Sequence, residues 1–221
     1  MTANTERIAI AKDYLAMTKP RITWLILVTT AVGYFFGAKH GPWHGATILR
    51  LAHTLTGTAL LASATAVLNE WYERESDAKM RRTSRRPLPA GRIEPTCALI
   101  FGIVLAVLGL AELAWAVNLR TTIIAASTIA AYLFVYTPLK RYSPLSTTAA
   151  AFAGAMPPLI GYEAASGNLS AEAWALAAIL FVWQIPHSLA IAWIYRDDYA
   201  RAGIRMLPVS RSAKFLSSFC S

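Results

Sequence analysis

Long apolar runs alternate with short polar segments along most of this 221-residue chain. An α-helix needs roughly 17–25 predominantly apolar residues to cross the hydrocarbon core of a bilayer, and the runs have about that length. The pattern therefore predicts an all-α fold, a polytopic bundle of about six transmembrane helices. The predicted spans are residues 22–37, 48–68, 97–117, 121–137, 145–162 and 173–195.

The composition supports the membrane interpretation. Apolar residues make up 56% of the chain and charged residues only 15%, against roughly 25% charged residues in soluble domains. The two cysteines, Cys97 and Cys220, have no spacing that indicates a disulfide framework or a metal site. Apolar and basic residues interleave before the first span, which predicts a segment along the membrane interface. No small-residue cleavage site follows the first span, so we expect no removable signal peptide.

The basic residues predict the orientation of the spans. One side of the membrane receives residues 1–21, 69–96, 138–144 and 196–221, which together contain 18 of the 21 Lys and Arg residues. By the positive-inside rule these segments are cytoplasmic. We therefore expect a multi-pass protein of the inner (cytoplasmic) cell membrane, with its N-terminus and both acidic loops inside. The net charge of +9 is explained by basic residues in the cytoplasmic segments, which orient the spans. We therefore expect no nucleic-acid partner.

The first cytoplasmic loop carries a regular row of oxygen-bearing side chains. If the second helix continues beyond its span, Asn69, Glu73 and Asp77 recur every four residues and share one helix face. Glu70 lies near this face. Mg²⁺ takes such hard oxygen ligands and shares them with phosphate oxygens, so the row predicts a site for a divalent cation and a phosphate.

A cationic stretch follows this row directly. Guanidinium groups bind phosphate oxygens in pairs, and acids for a metal beside arginines for phosphates are what ionisation of a diphosphate leaving group requires. The basic residues of the stretch are Lys79, Arg81, Arg82, Arg85, Arg86 and Arg92. The alternative is a solvated loop whose arginines only enforce topology. That alternative does not explain why four of the twelve acids lie within residues 70–77.

A second acid pair, Asp197 and Asp198, follows the sixth span on the same side. Arg201 and Arg205 lie one and two helical turns further on, so simple pairing between these acids and arginines is one interpretation. Taken with the first loop, the pair predicts a second side of one metal–diphosphate pocket.

One histidine lies at membrane depth. His187 follows Pro186, which removes a backbone hydrogen bond from an apolar helix. Ionisable residues at this depth are functional hypotheses by default, and imidazole is a usual axial ligand of heme iron. Contact with a substrate is one interpretation of His187, and a neutral histidine bonded to a neighbouring helix is the other. Glu112, in the third span, instead indicates snorkelling or pairing between helices.

Several motifs, in this order, resemble the UbiA superfamily of intramembrane prenyltransferases. They are N-x-x-x-E-R-x-x-D at 69–77, R-R-P-L-P-A-G at 85–91 and Y-T-P-L-K-R at 136–141. Four others resemble the heme O synthase (protoheme IX farnesyltransferase) branch: G-A-M-P-P-L-I-G at 154–161, W-Q-I-P-H at 183–187, Y-R-D-D-Y-A-R-A-G at 195–203 and M-L-P-V at 206–209. The match covers roughly residues 17–209.

The resemblance implies a helical fold around a central cavity, with farnesyl diphosphate as donor, heme b as acceptor and heme O as product. It also implies Mg²⁺ as the divalent cation, the lipid bilayer as surroundings, and heme A synthase or the terminal oxidase assembly as partners. The implied catalytic residues are Asn69, Glu73, Asp77, Asp197 and Asp198, of which all but Asp197 would hold metal. The implied substrate-binding residues are Arg74, Arg82, Arg85, Arg86, Lys140 and Arg201 for the diphosphate, and Trp183 and His187 for the heme.

The end of the chain departs from the family pattern. Family members continue past the second acidic motif with further membrane helices, whereas residues 210–221 form a short polar tail. We therefore expect a prenyltransferase domain at 1–209 that is incomplete at its C-terminal side, followed by the atypical tail of a truncated or frame-shifted chain.

Two other functions remain open at the level of sequence. A prenyltransferase acting on an aromatic quinone precursor would share the acidic residues but would not need His187. An inactive membrane fragment, or a transporter, is the other alternative. A transporter typically has internal repeats with broken helices at the membrane midplane, and here only Pro157–Pro158 and Pro186 interrupt the spans, with no convincing repeat around them.

Overall fold

The computed structural model describes residues 3–39, 41–143 and 145–204. Within these ranges the chain forms helices and turns, with no strand. The helices are α1 (Ala3–Met17), α2 (Pro20–Ala38), α3 (Gly45–Asp77), α4 (Pro95–Ala116), α5 (Leu119–Ala130), α6 (Thr137–Tyr142), α7 (Ser146–Gly154), α8 (Pro157–Ser166), α9 (Ala171–Ile194) and α10 (Arg196–Arg201). A π-helical segment, Ala131–Tyr136, joins α5 to α6. Arg205 and the tail predicted at 210–221 lie outside the described residues.

Five helical stretches in the described ranges are long and apolar enough to cross a membrane, and they coincide with five of the six predicted spans. They are Pro20–Ala38, Gly45–Asp77, Pro95–Ala116, Leu119–Lys140 and Ala171–Ile194. Large apolar side chains point outward from them, among them Leu25, Val107 and Ile179. The outward apolar faces are what a lipid environment requires of a helical bundle. The chain is a multi-pass membrane protein, and the all-helical fold class is confirmed.

The predicted span at 145–162 is present as two shorter helices, α7 and α8. Pro157 and Pro158 have no backbone N–H groups, so the carbonyls of Ala153 and Gly154 lose their helical donors at this point. The two residues between the helices, 155 and 156, keep right-handed helical backbone angles. The interruption is therefore a kink, and six predicted spans correspond to five long helices and one kinked pair.

Helix α8 is the most deeply enclosed element of the bundle, buried from Pro157 to Ala164. It packs on α2 at backbone contact. A Cβ atom at Gly161 would lie 1.9 Å from the carbonyl oxygen of Thr30, and one at Gly33 would lie 2.1 Å from the carbonyl oxygen of Pro158. Small residues permit such an approach between membrane helices. The packing fixes the centre of the bundle around which the other spans are arranged.

The segments between the helices gather at two ends of the bundle. At one end the Lys140 Nζ lies 3.0 Å from the Glu73 Oε1, which joins α6 to α3. At the same end the backbone N–H of Arg82 donates to the Asp198 carboxylate over 3.2 Å. Arg120 lies at the other end, where it donates to the carbonyl between α8 and α9. The predicted position of the two acidic loops on one face is confirmed.

Candidate active site

Helix α3 runs without interruption through the predicted row of oxygen-bearing side chains and ends at Asp77. The continuation was the condition on which the row depended, and it is confirmed. Asn69, Glu73 and Asp77 are all buried, with exposed fractions of 3%, 8% and 1%. Polar side chains are rarely buried in this way unless they have partners. We therefore expect each member of the row to have hydrogen-bond or ion-pair partners nearby.

Glu73 is held at the centre of this site by groups from two helices. The ammonium of Lys140 donates to both of its carboxylate oxygens, at 3.0 and 3.2 Å, and the Asn69 amide donates to Oε2 over 2.9 Å. The Asn69 carbonyl oxygen in turn accepts a hydrogen bond from the Thr137 hydroxyl at 3.0 Å. Sequence reasoning included Lys140 but missed Thr137, which is buried and fixes the orientation of the Asn69 amide.

The π-helical segment explains how Lys140 and Thr137 come to face α3. Pro138 has no N–H for the carbonyl four residues earlier, and its ring would crowd that carbonyl in a regular helix. The Thr137 N–H instead donates to the Tyr132 carbonyl, five residues back. Such π-turns occur frequently at functional sites. The wider turn also stacks Tyr136 below the Lys140 ammonium, which lies 4.3 Å from the ring centroid.

Asp77 has a different cation as its partner. The Arg86 guanidinium lies 2.5 Å from Asp77 Oδ2, and the Thr83 hydroxyl donates to the Asp77 backbone carbonyl over 2.9 Å. Both partners come from the segment between α3 and α4, which folds back over the end of α3. The prediction that the cationic stretch lies beside the acids is confirmed for Arg86.

Glu70 is also buried, with an exposed fraction of 1%. Its Oε1 accepts a hydrogen bond from the Leu88 backbone N–H at 3.4 Å. Glu70 therefore anchors the Pro-rich end of the cationic stretch to α3. It lies beside the row of Asn69, Glu73 and Asp77 and is not part of it.

The second acidic motif contributes one buried and one exposed carboxylate. Asp198 accepts from the Arg82 backbone and pairs with the Arg201 guanidinium. Burial raises the pKa of Asp198, but the backbone N–H groups of Arg82 and Arg81 and the Arg201 charge outweigh it and hold the pKa below its ordinary value. Asp197 is 84% exposed and lies 3.8 Å from the Arg196 guanidinium. The structure thus brings Asp198 to the first loop and leaves Asp197 outside.

Four predicted substrate-binding residues contact neither the row of Asn69, Glu73 and Asp77 (the acid row) nor Asp198 in the described part of the chain. Arg74 donates to the Trp71 carbonyl, and the Arg85 side chain is exposed. Trp183 and His187 lie on the outward side of α9, where their rings stack 4.7 Å apart at 14°. Arg82, by contrast, lies near the acids and places its guanidinium 4.9 Å from the Tyr195 ring.

Lys19 is a charged residue at this site that sequence reasoning missed. It lies between α1 and α2, partly buried, with a left-handed backbone at φ 49°. Burial lowers the pKa of Lys19 to about 8, an effect that Arg86 and Lys140 reinforce and that Glu70 and Glu73 oppose. The sequence signal was weak, because a basic residue before a membrane span indicates topology first.

The oxygen atoms of the row are of the kind that magnesium ions prefer as ligands. No three His, Cys, Asp or Glu side chains within the described ranges form a metal-binding cluster by themselves. Mg²⁺, however, is usually held by one or two carboxylates together with substrate phosphates and water. Asn69, Glu73 and Asp77 carry such oxygens, and each of the two carboxylates is paired with a cation, Lys140 or Arg86.

These features define a class of protein: a helical membrane protein with a buried row of oxygen donors, paired with cations, at one end of the bundle. Residues 26–218 match the UbiA prenyltransferase family. The chain belongs to this family. The resemblance found in the motifs is thereby confirmed.

Two relatives with similar sequences have the same description. A protoheme IX farnesyltransferase from Solibacter usitatus is 56% identical over 203 residues, which are 90% of this chain and 70% of the relative. One from Koribacter versatilis is 47% identical over 206 residues, covering 91% of this chain and 64% of the relative. The chain thus spans about two thirds of the length of these relatives.

A solved structure shows the same fold. It is a UbiA homolog from Archaeoglobus fulgidus bound to GPP and Mg²⁺, with a TM-score of 0.73 and 20% sequence identity. The alignment covers 93% of this chain and 73% of that one. The bundle described above is the UbiA fold.

Proposed function

We propose that this chain carries the site of a protoheme IX farnesyltransferase, which moves a farnesyl group from farnesyl diphosphate to a vinyl group of heme b and yields heme O. The observation that carries the proposal is the buried row of Asn69, Glu73 and Asp77 with Lys140 and Arg86 on its carboxylates. Support for the acceptor comes from relatives at 56% and 47% identity that bear this name.

The row and its cations have separate tasks in this proposal. Asn69, Glu73 and Asp77 would hold Mg²⁺, with Asp198 as a further ligand from the second motif. Mg²⁺ bound there would neutralise charge on the departing diphosphate. Lys140 and Arg86 then bind diphosphate oxygens, and Arg82 approaches from the Asp198 side. Fixed cations in a site closed to water stabilise developing charge more strongly than solvent does.

The chemical step balances without an oxidant or a reductant. The bond between farnesyl C1 and the diphosphate oxygen breaks, and its electron pair leaves with diphosphate. The vinyl carbon of heme b forms the new bond to C1, which leaves a cation on the adjacent carbon. Water supplies the hydroxyl there and releases a proton. The protein must hold both reactants in line and exclude water until this last step.

Trp183 and His187 form the candidate surface for the heme. Their parallel rings offer an aromatic plane on α9, and an imidazole nitrogen is a usual ligand for heme iron. A quinone-precursor prenyltransferase is the second candidate, because it would use the same acid row. The stacked Trp183–His187 pair favours heme.

The charge distribution supports the cytoplasmic face of the inner membrane as the place of the site, since the acid row lies among most of the basic residues. A hydrophobic product released into the bilayer suits transfer to a heme A synthase or to the assembly of a terminal oxidase.

The test is an assay of membranes that contain this chain, supplied with farnesyl diphosphate, Mg²⁺ and either heme b or 4-hydroxybenzoate, with products identified by mass. We expect farnesyl-hydroxyethyl heme and unmodified 4-hydroxybenzoate. Membranes with Asp77→Asn, at equal protein level, are the control and should yield neither product. A prenylated 4-hydroxybenzoate with unchanged heme would support the second candidate, and no product with either acceptor would contradict transferase activity of the chain.

A further inference from the structure

Lys19 differs from the other cations at the acid row, because its ammonium contacts no acceptor in the part of the chain that the structure describes. Lys140 contacts Glu73 and Arg86 contacts Asp77. Across the described residues, no hydrogen bond or ion pair involves the Lys19 side chain. Its charge nevertheless interacts with Glu70, Glu73, Arg86 and Lys140. A cation that is near other cations and has no ion pair of its own among the described residues is poorly compensated until an anion arrives.

The backbone around Lys19 holds it in place. Met17 is fully buried against Val67, Leu88 and neighbouring residues, which fixes the end of α1 on α3 and on the cationic stretch. The Lys19 carbonyl accepts hydrogen bonds from the N–H groups of residues 22 and 23 at 3.0 and 3.1 Å and so starts α2. The backbone of Lys19 is therefore fixed between the end of α1 and the start of α2.

The left-handed conformation is a second, independent observation. Lys19 is the sole non-glycine residue in the described ranges with a positive φ. Glycine and asparagine adopt this conformation at least cost, whereas a lysine with its Cβ does not. Strained backbone of this kind occurs preferentially at functional sites. The junction that adopts this conformation lies beside α3, because Met17 packs against Val67.

We propose that Lys19 binds the diphosphate of the prenyl donor, as a third cation beside Lys140 and Arg86. The inference rests on the proposed function and adds a binding residue from the N-terminal segment to it. An ammonium group suits this task, because it meets phosphate oxygens as a point charge in any orientation.

The experiment compares substitutions that separate the charge of residue 19 from its backbone. Lys19→Asn removes the charge and tolerates the left-handed conformation, whereas Lys19→Arg keeps the charge. Lys12→Asn, at an exposed lysine of α1, is the matched control. The dissociation constants of farnesyl diphosphate and of inorganic diphosphate, each with Mg²⁺, are measured on the purified full chain in nanodiscs, together with its thermal unfolding temperature.

We expect Lys19→Asn to weaken the binding of both ligands about tenfold, the loss typical of one charge-assisted hydrogen bond. Lys19→Arg should stay within about threefold of wild type, Lys12→Asn should be unchanged, and the unfolding temperature of Lys19→Asn should not fall. Wild-type affinity in Lys19→Asn would overturn the inference alone. An equal loss in Lys19→Asn and Lys19→Arg would also overturn it, since the backbone and not the charge would then matter. A wild-type chain that binds neither ligand would contradict the proposed function itself.

Discussion

At the scale of single residues, the two acidic motifs differ in how many of their oxygen-bearing side chains are buried. Asn69, Glu73 and Asp77 are buried on one helix face and contact one another or a cation. In the second motif, Asp198 is buried and Asp197 is 84% exposed. A helix turns by about 100° per residue, so two adjacent acids do not share a face, and only one of them points into the site.

The difference between the two aspartates predicts different consequences of substitution. Asp198→Asn should lower turnover about tenfold, because it removes the charge that holds the backbone of Arg82 and the Arg201 guanidinium. Asp197→Asn should remain within about twofold, since exposed ion pairs contribute little. Initial rates in membranes at equal protein level provide the comparison.

Trypsin digestion gives a second measurement of the same contact. Release of the Arg82 backbone should make the cationic stretch more accessible, so Asp198→Asn should be cleaved there faster than wild type. Equal rates and equal cleavage in the two aspartate variants would contradict the role assigned to Asp198.

At the scale of helices, the sequence predicted most of the fold and part of the site. Apolar run length located five spans to within a few residues, because the bilayer requires that length. The row of Asn69, Glu73 and Asp77 was conditional on a continuation of α3 to Asp77, which the structure contains. The sequence identified Pro157–Pro158 as an interruption, but periodicity alone did not show that the span would form two separate helices. The sequence analysis also missed Lys19 and Thr137. Their positions depend on a left-handed backbone conformation and on a π-helical segment, and no local sequence pattern predicts either one.

The contact between α2 and α8 predicts a strong effect of a small substitution. Gly161→Ala would place a methyl group on the Thr30 carbonyl, and overpacking of this kind costs about 1–3 kcal/mol or more. Gly45→Ala is the matched control, since a Cβ there meets no atom within 4 Å. We expect the unfolding temperature in detergent to fall clearly for Gly161→Ala and to hold for Gly45→Ala. Equal temperatures for the two variants would show that the helices are not packed at backbone contact.

At the scale of the whole molecule, charge and chemistry are concentrated at the same end of the bundle. The acid row, the cationic stretch and α10 meet there, while Arg120 and the turn at 167–170 lie at the other end. The positive-inside rule predicts that an end rich in Lys and Arg faces the cytoplasm. Under the proposed function, the donor and the metal would then enter from the cytoplasm.

The orientation predicts a labelling pattern in intact cells. Single cysteines are introduced by Arg81→Cys at one end and Asn168→Cys at the other, in a chain in which Cys97 and Cys220 are replaced by serine. A membrane-impermeant thiol reagent should modify position 168 in intact cells, and position 81 only after the cells are opened. The reverse pattern would contradict the cytoplasmic location of the site.

The central claim is that the buried row on α3 holds a divalent cation together with a diphosphate. Its most direct test is the binding of Mn²⁺, a paramagnetic substitute for Mg²⁺, to the purified chain with inorganic diphosphate, followed by electron paramagnetic resonance. Glu73→Gln removes a carboxylate from the row, and Glu75→Gln removes the same group from a position 78% exposed on the same helix. We predict bound Mn²⁺ in wild type and in Glu75→Gln, and at least about tenfold weaker binding in Glu73→Gln. Equal Mn²⁺ affinity in all three proteins would contradict the account.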